Sequence, residues 1–262
     1  MAVAGIVAEY NPFHLGHAYH LSQTRTALGR DGAVVCVMSG HWVQRGECAV
    51  ADKWTRSALA LAGGADLVLE LPTPWAMASA EAFARGAVGL LEATGVVDIL
   101  AFGSEDGSLE TLRQAADALD APGYPARLRE ALSRGLSFPA ARQAAAGCPC
   151  LSSPNNNLGV EYLRALRALG SGMTPMTVAR RGAGHDSVEH TDGFASASHI
   201  RALLREGRRE EAATLLPEGS LEALGQPASL LWAERAVLAR LRTMSEDDWA
   251  ALPDGGGAEG LP

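Results

Sequence analysis

The run Glu9-Tyr10-Asn11-Pro12-Phe13-His14-Leu15-Gly16-His17 holds the residues whose types and spacing point most directly to chemistry. His14 and His17 flank Gly16, and the run lies between a short apolar stretch and the start of a helical pattern. At a strand-to-helix junction a glycine lets a phosphate come close to the backbone, and the amides opening the helix point at the anion. Two imidazoles then complete the cradle. Donors so placed stabilise the charge that builds on phosphate oxygens when an acid attacks an α-phosphate and pyrophosphate leaves, with no covalent enzyme intermediate. Two other readings of the same letters stand beside this one. His14, His17 and His20 are also a zinc-ligand type at short spacing, although no Cys or carboxylate completes a site nearby. They are equally compatible with the polar residues of an ordinary turn.

Such a site needs elements to hold it. Residues 2–9, rich in Val and Ile and ending at Asn11-Pro12, read as a buried parallel strand. A helix follows from about His17 to Leu28, and residues 33–40 are a second strand closed by Ser39-Gly40. The unit repeats with a helix over 51–62, a strand over 65–72, a helix over about 79–94 and a strand over 96–105. Residues 108–146 are Ala- and Arg-rich and read as a helical segment with a break near Pro122 to Pro125. A helix from about Leu158, a last strand over 173–180 and a capped helix over Ser196 to Glu206 complete the pattern. Alternating strands and helices predict a Rossmann-like parallel sheet covered on both faces, with ligands at the carboxyl ends of the strands. The α/β domain is expected over 1–205, with 108–146 inside it, and 206–262 as a helical extension with a Gly-rich tail at 254–262.

The bulk numbers agree with a folded protein: 47% of residues are hydrophobic and 20% charged. No apolar run reaches the roughly 18–20 residues of a membrane span, and the N-terminus does not read as a signal peptide, so a cytoplasmic address is expected. Cys36, Cys48, Cys148 and Cys150 are too few and too irregular for a disulfide framework and read as reduced thiols. A net charge of -8 argues against a surface that grips nucleic acid throughout. A local basic face remains open at Arg164, Arg167, Arg180, Arg181, Arg201, Arg205, Arg208 and Arg209, beside the plainer reading of solvated helix faces.

Read together, EYNPFHLGHAYH (9–20), MSGHWVQRGECAVADKW (38–54), GADLVLELP (64–72), FGSE (102–105), SPNNNLGVEYL (153–163) and SASHIR (196–201) resemble the tRNA(Met) cytidine acetate ligases. These are relatives of the nucleotidylyltransferases that carry the His-x-Gly-His signature. The resemblance implies a ligase that joins acetate to ATP, releasing pyrophosphate, and passes the acetyl group to N4 of the wobble cytidine of elongator tRNA(Met). It implies an ATP site lined by Val7, Ala8, Glu9, Tyr10, Asn11, Pro12, Phe13, His14, Leu15, Gly16, His17, Ala18, Tyr19 and His20, with His14 and His17 at the phosphates. Gly103 would approach the nucleotide through its backbone, Asn155 would hydrogen-bond it, and Arg180 would contact it. Ser196 and Ser198 would offer hydroxyls and Arg201 would offset pyrophosphate charge, with a plain N-cap as the other reading of Ser196.

Gln44, Arg45, Glu47 and Lys53 follow the second strand; Arg45 or Lys53 would bind acetate or phosphate, or the group would form a loop salt-bridge network. Asp52, Glu70 and Glu105 are candidate partners of Mg2+, although in ATP sites magnesium leans mainly on phosphates and water, and no protein metal site is expected. Leu15, Cys48 and Asn157 depart from the family pattern, and the family usually continues past residue 262 into a helical region implicated in holding tRNA. Acetate activation is thus the half-reaction expected to depend least on anything further. Two other classes share the signature: an adenylyltransferase for another small acid or phosphate substrate without tRNA, and a nucleotide-binding module without turnover.

Overall fold

The structure, a computed structural model, describes residues 1–44, 46–105, 107–180 and 194–251. Arg45, Arg181 and the Gly-rich tail singled out in the sequence lie outside the described residues. The chain runs β1 (Val3–Ala8), α1 (Leu15–Leu28), β2 (Ala33–Ser39), α2 (Lys53–Ala62), β3 (Leu67–Leu71), α3 (Thr73–Ala76), α4 (Ala80–Ala93) and β4 (Ile99–Ser104). Then follow α5 (Leu109–Asp120), α6 (Tyr124–Ser133), α7 (Phe138–Ala146), α8 (Pro154–Leu169), β5 (Thr174–Ala179), α9 (Ala197–Arg205), α10 (Arg209–Ala213) and α11 (Ser220–Leu224). Contacts divide the chain into Met1–Ala228 and a second unit from Ser229 that carries α12 (Glu234–Thr243) and α13 (Glu246–Ala250). The expected start of the extension, after residue 205, falls between α9 and α10 inside the first unit.

All strand pairs are parallel and the order is β3-β2-β1-β4-β5. Parallel strands buried on both faces alternate side chains between two cores. Val3, Val35, Val37, Leu100 and Phe102 face a core shared with α4, α5 and α8. Ala4, Ile6, Val34, Cys36, Met38 and Ala101 face a second core that includes Phe13 and Leu21. Gly5 marks where α4 presses on the sheet, since a Cβ there would lie 2.7 Å from a Leu91 methyl.

The chain leaves β1 toward β2 on one side and returns to β4 on the other, so the carboxyl ends of β1 and β4 part the loops and open a crevice, as at the switch point of any doubly wound sheet. The second core packs α1 and α2 on one face, and a third apolar cluster joins α9, Leu215 and Leu224 to Val50 and Ala51 in the loop before α2.

Candidate active site

A cavity of about 360 Å³ occupies that crevice, bordered by residues of β1, α1, the loop after β2, α4, β4, α8, β5 and α9. At its floor His14, only 3% exposed, is the N-cap of α1. Its Nδ1 accepts from the Gly16 amide at 3.0 Å, which leaves the ring proton on Nε2 as a donor. Gly16 is required for this: a Cβ there would stand 2.8 Å from the His14 ring. The His17 ring lies against that of His14, centroids 3.8 Å apart, with Tyr10 edge-on behind it at 4.9 Å.

The amides opening α1 are engaged within the protein, contrary to the sequence expectation that they point at an anion. Leu15 donates to the Leu215 carbonyl at 3.1 Å, Gly16 to His14 Nδ1, and His17 to the His14 carbonyl at 2.9 Å. The histidine N-cap takes the Gly16 and His17 donors and puts its own imidazole forward instead. The polar groups turned to the cavity are therefore side chains: the imidazoles, Arg180 at the end of β5, and Ser196, Ser198 and Arg201 around the start of α9, all on the cavity wall.

All three imidazoles are held neutral. Burial, then the charges of Arg180 and Arg201, lowers His14 to about 3. Burial and Arg180 lower His20 to about 4, and burial followed by His14, Arg180 and His20 lowers His17. The unfolded chain protonates these rings below their ordinary value of about 6.5 while the folded chain does not. The stability that their neutrality contributes is thus complete above about pH 6.5 and is lost as pH falls toward the folded values. For His14 alone the loss between pH 6.5 and 5 amounts to about 2 kcal/mol. Thermal midpoints measured at pH 7 and pH 5 are expected to fall further in the parent chain than in His14→Gln; parallel falls would contradict the assignment.

The turn that carries His14 is fixed by two guanidinium groups. Arg56, on α2, is completely buried and spends its donors on backbone carbonyls alone: Ala51 at 3.1 Å, Ser39 at 2.9 Å, and Glu9 and Gly40. Those of Glu9, Ser39 and Gly40 lie where the ladders of β1 and β2 run out. Burial lowers Arg56 only to about 10, so it stays charged. Arg201 donates to the Asn11 carbonyl at 2.8 Å and to Ser198 Oγ at 3.1 Å. Between the two clamped carbonyls Tyr10 sits at φ 47°, a left-handed backbone that a bulky residue holds only where its surroundings impose it. Asn11 Oδ1 accepts from the Val50 amide at 2.7 Å and ties the turn to the loop before α2.

On the opposite side Glu105 locks β4 to α8. Its carboxylate accepts from the Asn155 amide at 3.1 Å, Asn155 Nδ2 at 2.7 Å and the Asn156 amide at 2.7 Å. Asn155 Oδ1 in turn faces Arg180 Nη1 at 3.4 Å. A carboxylate at a helix N-terminus is favoured by the exposed amides and the dipole.

Of the residues expected at the nucleotide, Val7, Ala8, Glu9, Tyr10, Asn11, His14, Gly16, His17, Tyr19, His20, Gly103, Asn155, Arg180, Ser196, Ser198 and Arg201 border the cavity. Pro12, Phe13, Leu15 and Ala18 do not: Phe13 and Ala18 belong to the core beneath α1, and the Leu15 amide faces Leu215. Ser196 is both an N-cap, accepting from the His199 amide at 3.1 Å, and a cavity residue. Gln44 and Glu47 reach the wall from the loop after β2, where Glu9 Oε1 accepts from the Gln44 amide at 2.8 Å. Lys53 is elsewhere, 2.6 Å from Glu70 and over the Trp54 ring.

The carboxylates named as magnesium partners are likewise engaged, Asp52 capping α2 at Thr55, Glu70 on Lys53 and Glu105 on α8. Among the described residues no three His, Cys, Asp or Glu side chains group as a metal site. The arginine run does not form one basic face. Arg164 and Arg167 pair with Asp117, Asp120 and Glu161, Arg208 pairs with Glu206 and Glu211, and Arg180 and Arg201 turn into the cavity. Sequence reasoning missed Arg56 and the aromatic wall of Phe83, Phe102 and Tyr162. The available signal for Arg56 was its place on the buried stripe of α2 with Ala60.

Comparisons with known proteins agree with this geometry. The family model described as HIGH Nucleotidyl Transferase matches residues 1–254. The chain is 47% identical over 253 residues to the tRNA(Met) cytidine acetate ligase of Syntrophotalea carbinolica, covering 92% of this chain and 59% of that protein. It is 46% identical over 215 residues to the protein of that name from Acetivibrio thermocellus, covering 78% of this chain and 52% of that one. The chain thus spans between half and three-fifths of these relatives' length. Among solved structures, Thermotoga maritima TmcAL bound with alpha-thio ATP superposes with a TM-score of 0.84 at 40% identity, covering 94% of this chain and 62% of that one. The apo form of TmcAL gives 0.88 at 39% identity, covering 97% and 66%.

Proposed function

The chain belongs to the HIGH nucleotidyl transferase family, and on that premise we propose that it activates acetate with ATP and passes the acetyl group to N4 of the wobble cytidine of elongator tRNA(Met). The observation that carries the reading is the convergence of two neutral imidazoles and two guanidinium groups on one cavity at the sheet's switch point. Proteins named tRNA(Met) cytidine acetate ligase are 38–47% identical to this chain over the matched stretches, and the alpha-thio ATP of the Thermotoga structure supports ATP as the nucleotide.

In the first step an acetate oxygen attacks the α-phosphorus, the bond to the bridging oxygen breaks, and pyrophosphate leaves with that electron pair. His14 Nε2–H and His17 donate to the phosphate oxygens on which charge grows, while Arg180 and Arg201 take up the charge of the triphosphate and then of pyrophosphate. Neutral donors serve this role without an ionisable proton to lose. In the second step the cytidine N4 amine attacks the acetyl carbon, AMP leaves, and the amine's extra proton passes to solvent. Among the described residues no three His, Cys, Asp or Glu side chains group as a metal site, so a magnesium ion would ride on the phosphates and water. No helix among the described residues is long and apolar enough to cross a membrane.

The whole reaction is tested by incubating the purified chain with ATP, labelled acetate and elongator tRNA(Met) transcript and analysing the digested RNA by mass spectrometry. N4-acetylcytidine at the wobble position is the expected product. Its absence while pyrophosphate exchange proceeds would confine this chain to the activation step.

A further inference from the structure

The cavity has two chemically different sides. The imidazoles, Ser196, Ser198, Arg180 and Arg201 stand on the side of α1, β5 and α9. Across from them α4, β4 and α8 present Phe83, Phe102, Leu158 and Tyr162, with Ala80 at the opening of α4. This second wall is firmly built. Gly159 brings α8 so close that a Cβ would lie 2.8 Å from Phe102 Cε2, and the Phe102 and Tyr162 rings are 5.5 Å apart. Phe83 and Tyr162 are 2% and 3% exposed and share one core cluster with Phe102. Tyr162 Oη makes no hydrogen bond among the described residues, and burial holds its phenol protonated. Asn155 and Asn157 stand at the opening of α8 on the same side, and apart from them Tyr162 is the donor among apolar side chains of this wall.

We infer that this wall is the acid subsite, taking the alkyl end of a short carboxylic acid against Phe83, Phe102 and Leu158 while Tyr162 Oη donates to its carboxylate. The inference rests on the acid-activating reading given above. The attacking oxygen reaches the α-phosphorus opposite the departing pyrophosphate. With the phosphates against Arg180, Arg201 and the α9 serines, the acid enters from the α4 and α8 side. A mostly apolar wall with neutral donors and no cation suits a monocarboxylate with a small alkyl group, and the bulk of Phe83 and Leu158 sets how long that group can be.

The test is acid-dependent ATP–pyrophosphate exchange with acetate, propionate and butyrate by the parent, Phe83→Leu, Leu158→Ala and Tyr162→Phe chains. The parent is expected to prefer acetate. Either enlarging substitution should shift the propionate-to-acetate ratio of kcat/KM by roughly tenfold toward propionate. Tyr162→Phe should raise the KM for acid by on the order of tenfold while leaving that for ATP in place. If the wall holds the adenine ring instead, the substitutions will raise the KM for ATP and leave acid selectivity as it was, which overturns the subsite. Phe83 belongs to the core, so loss of folding in its variant leaves the decision to Leu158→Ala, whose residue is only partly buried. A parent chain that exchanges with none of the acids overturns the reading on which the subsite stands, whereas exchange with unchanged selectivity in every folded variant overturns the subsite alone.

Discussion

Replacing His14 with alanine is expected to slow ATP-dependent acid activation by about a hundredfold or more, the loss that follows removal of one preorganised donor to a developing oxyanion. The side chain has one duty in the structure and a second in the proposed reaction, and both go at once. Its Nδ1 takes the Gly16 amide, and its Nε2–H is the donor proposed to meet the phosphates. His14→Asn separates the two duties, because an asparagine is a good N-cap and keeps the start of α1 while offering no imidazole donor. Circular dichroism and thermal midpoints of His14→Asn should stay close to the parent, and its kcat for pyrophosphate exchange should fall nearly as far as that of the alanine variant. Turnover unchanged in either chain would remove His14 from the chemistry.

Arg56→Met is expected to destabilise the chain by on the order of 3–5 kcal/mol, a large share of the roughly 5–15 kcal/mol that holds a typical domain folded. Methionine fills much of the volume but leaves the carbonyls of Glu9, Ser39, Gly40 and Ala51 without the donors that satisfy them. Arg56→Lys keeps the charge yet cannot span carbonyls that approach from several directions, so it should fall between parent and methionine variant. Urea midpoints at constant slope measure both. The clamped Glu9 carbonyl leads into the strained Tyr10 and then into His14, so the lysine chain should also bind ATP more weakly than its stability loss alone explains. A loss below about 1 kcal/mol for Arg56→Met would show that water satisfies these carbonyls and that the clamp is dispensable.

Arg56 also shows where sequence reading stops. Its neighbours in Lys53-Trp54-Thr55-Arg56-Ser57 read as an exposed helix start, and nothing local says that the guanidinium faces four carbonyls from three other segments. The strands were legible because parallel strands buried on both faces are continuous apolar runs, as Ala33–Ser39 illustrates. The start of α1 was read two residues late because histidine is not a usual N-cap, so the helical pattern registered only from His17. The start of α8 was read at Leu158 and not at Pro154 because its cap comes from Glu105, about fifty residues earlier. The segment 108–146 read as one helical stretch with a single break, and a second break occurs where Gly135 takes φ 81° between α6 and α7. Within the site, His14, His17, Gly103, Asn155, Arg180, Ser196 and Arg201 could be named from motifs at strand ends. Phe83, Leu158 and Tyr162 lie in the middle of ordinary amphipathic helices, where only tertiary packing decides which core residues also border a cavity.

If this cavity joins a short carboxylic acid to ATP as proposed, ATP–pyrophosphate exchange by the purified chain, measured with and without elongator tRNA(Met), will require acetate, proceed without tRNA, and collapse in the His14 variants. Exchange that ignores acetate, or that requires another acid or a phosphate substrate, would contradict this reading and assign the same site to a different adenylyl transfer.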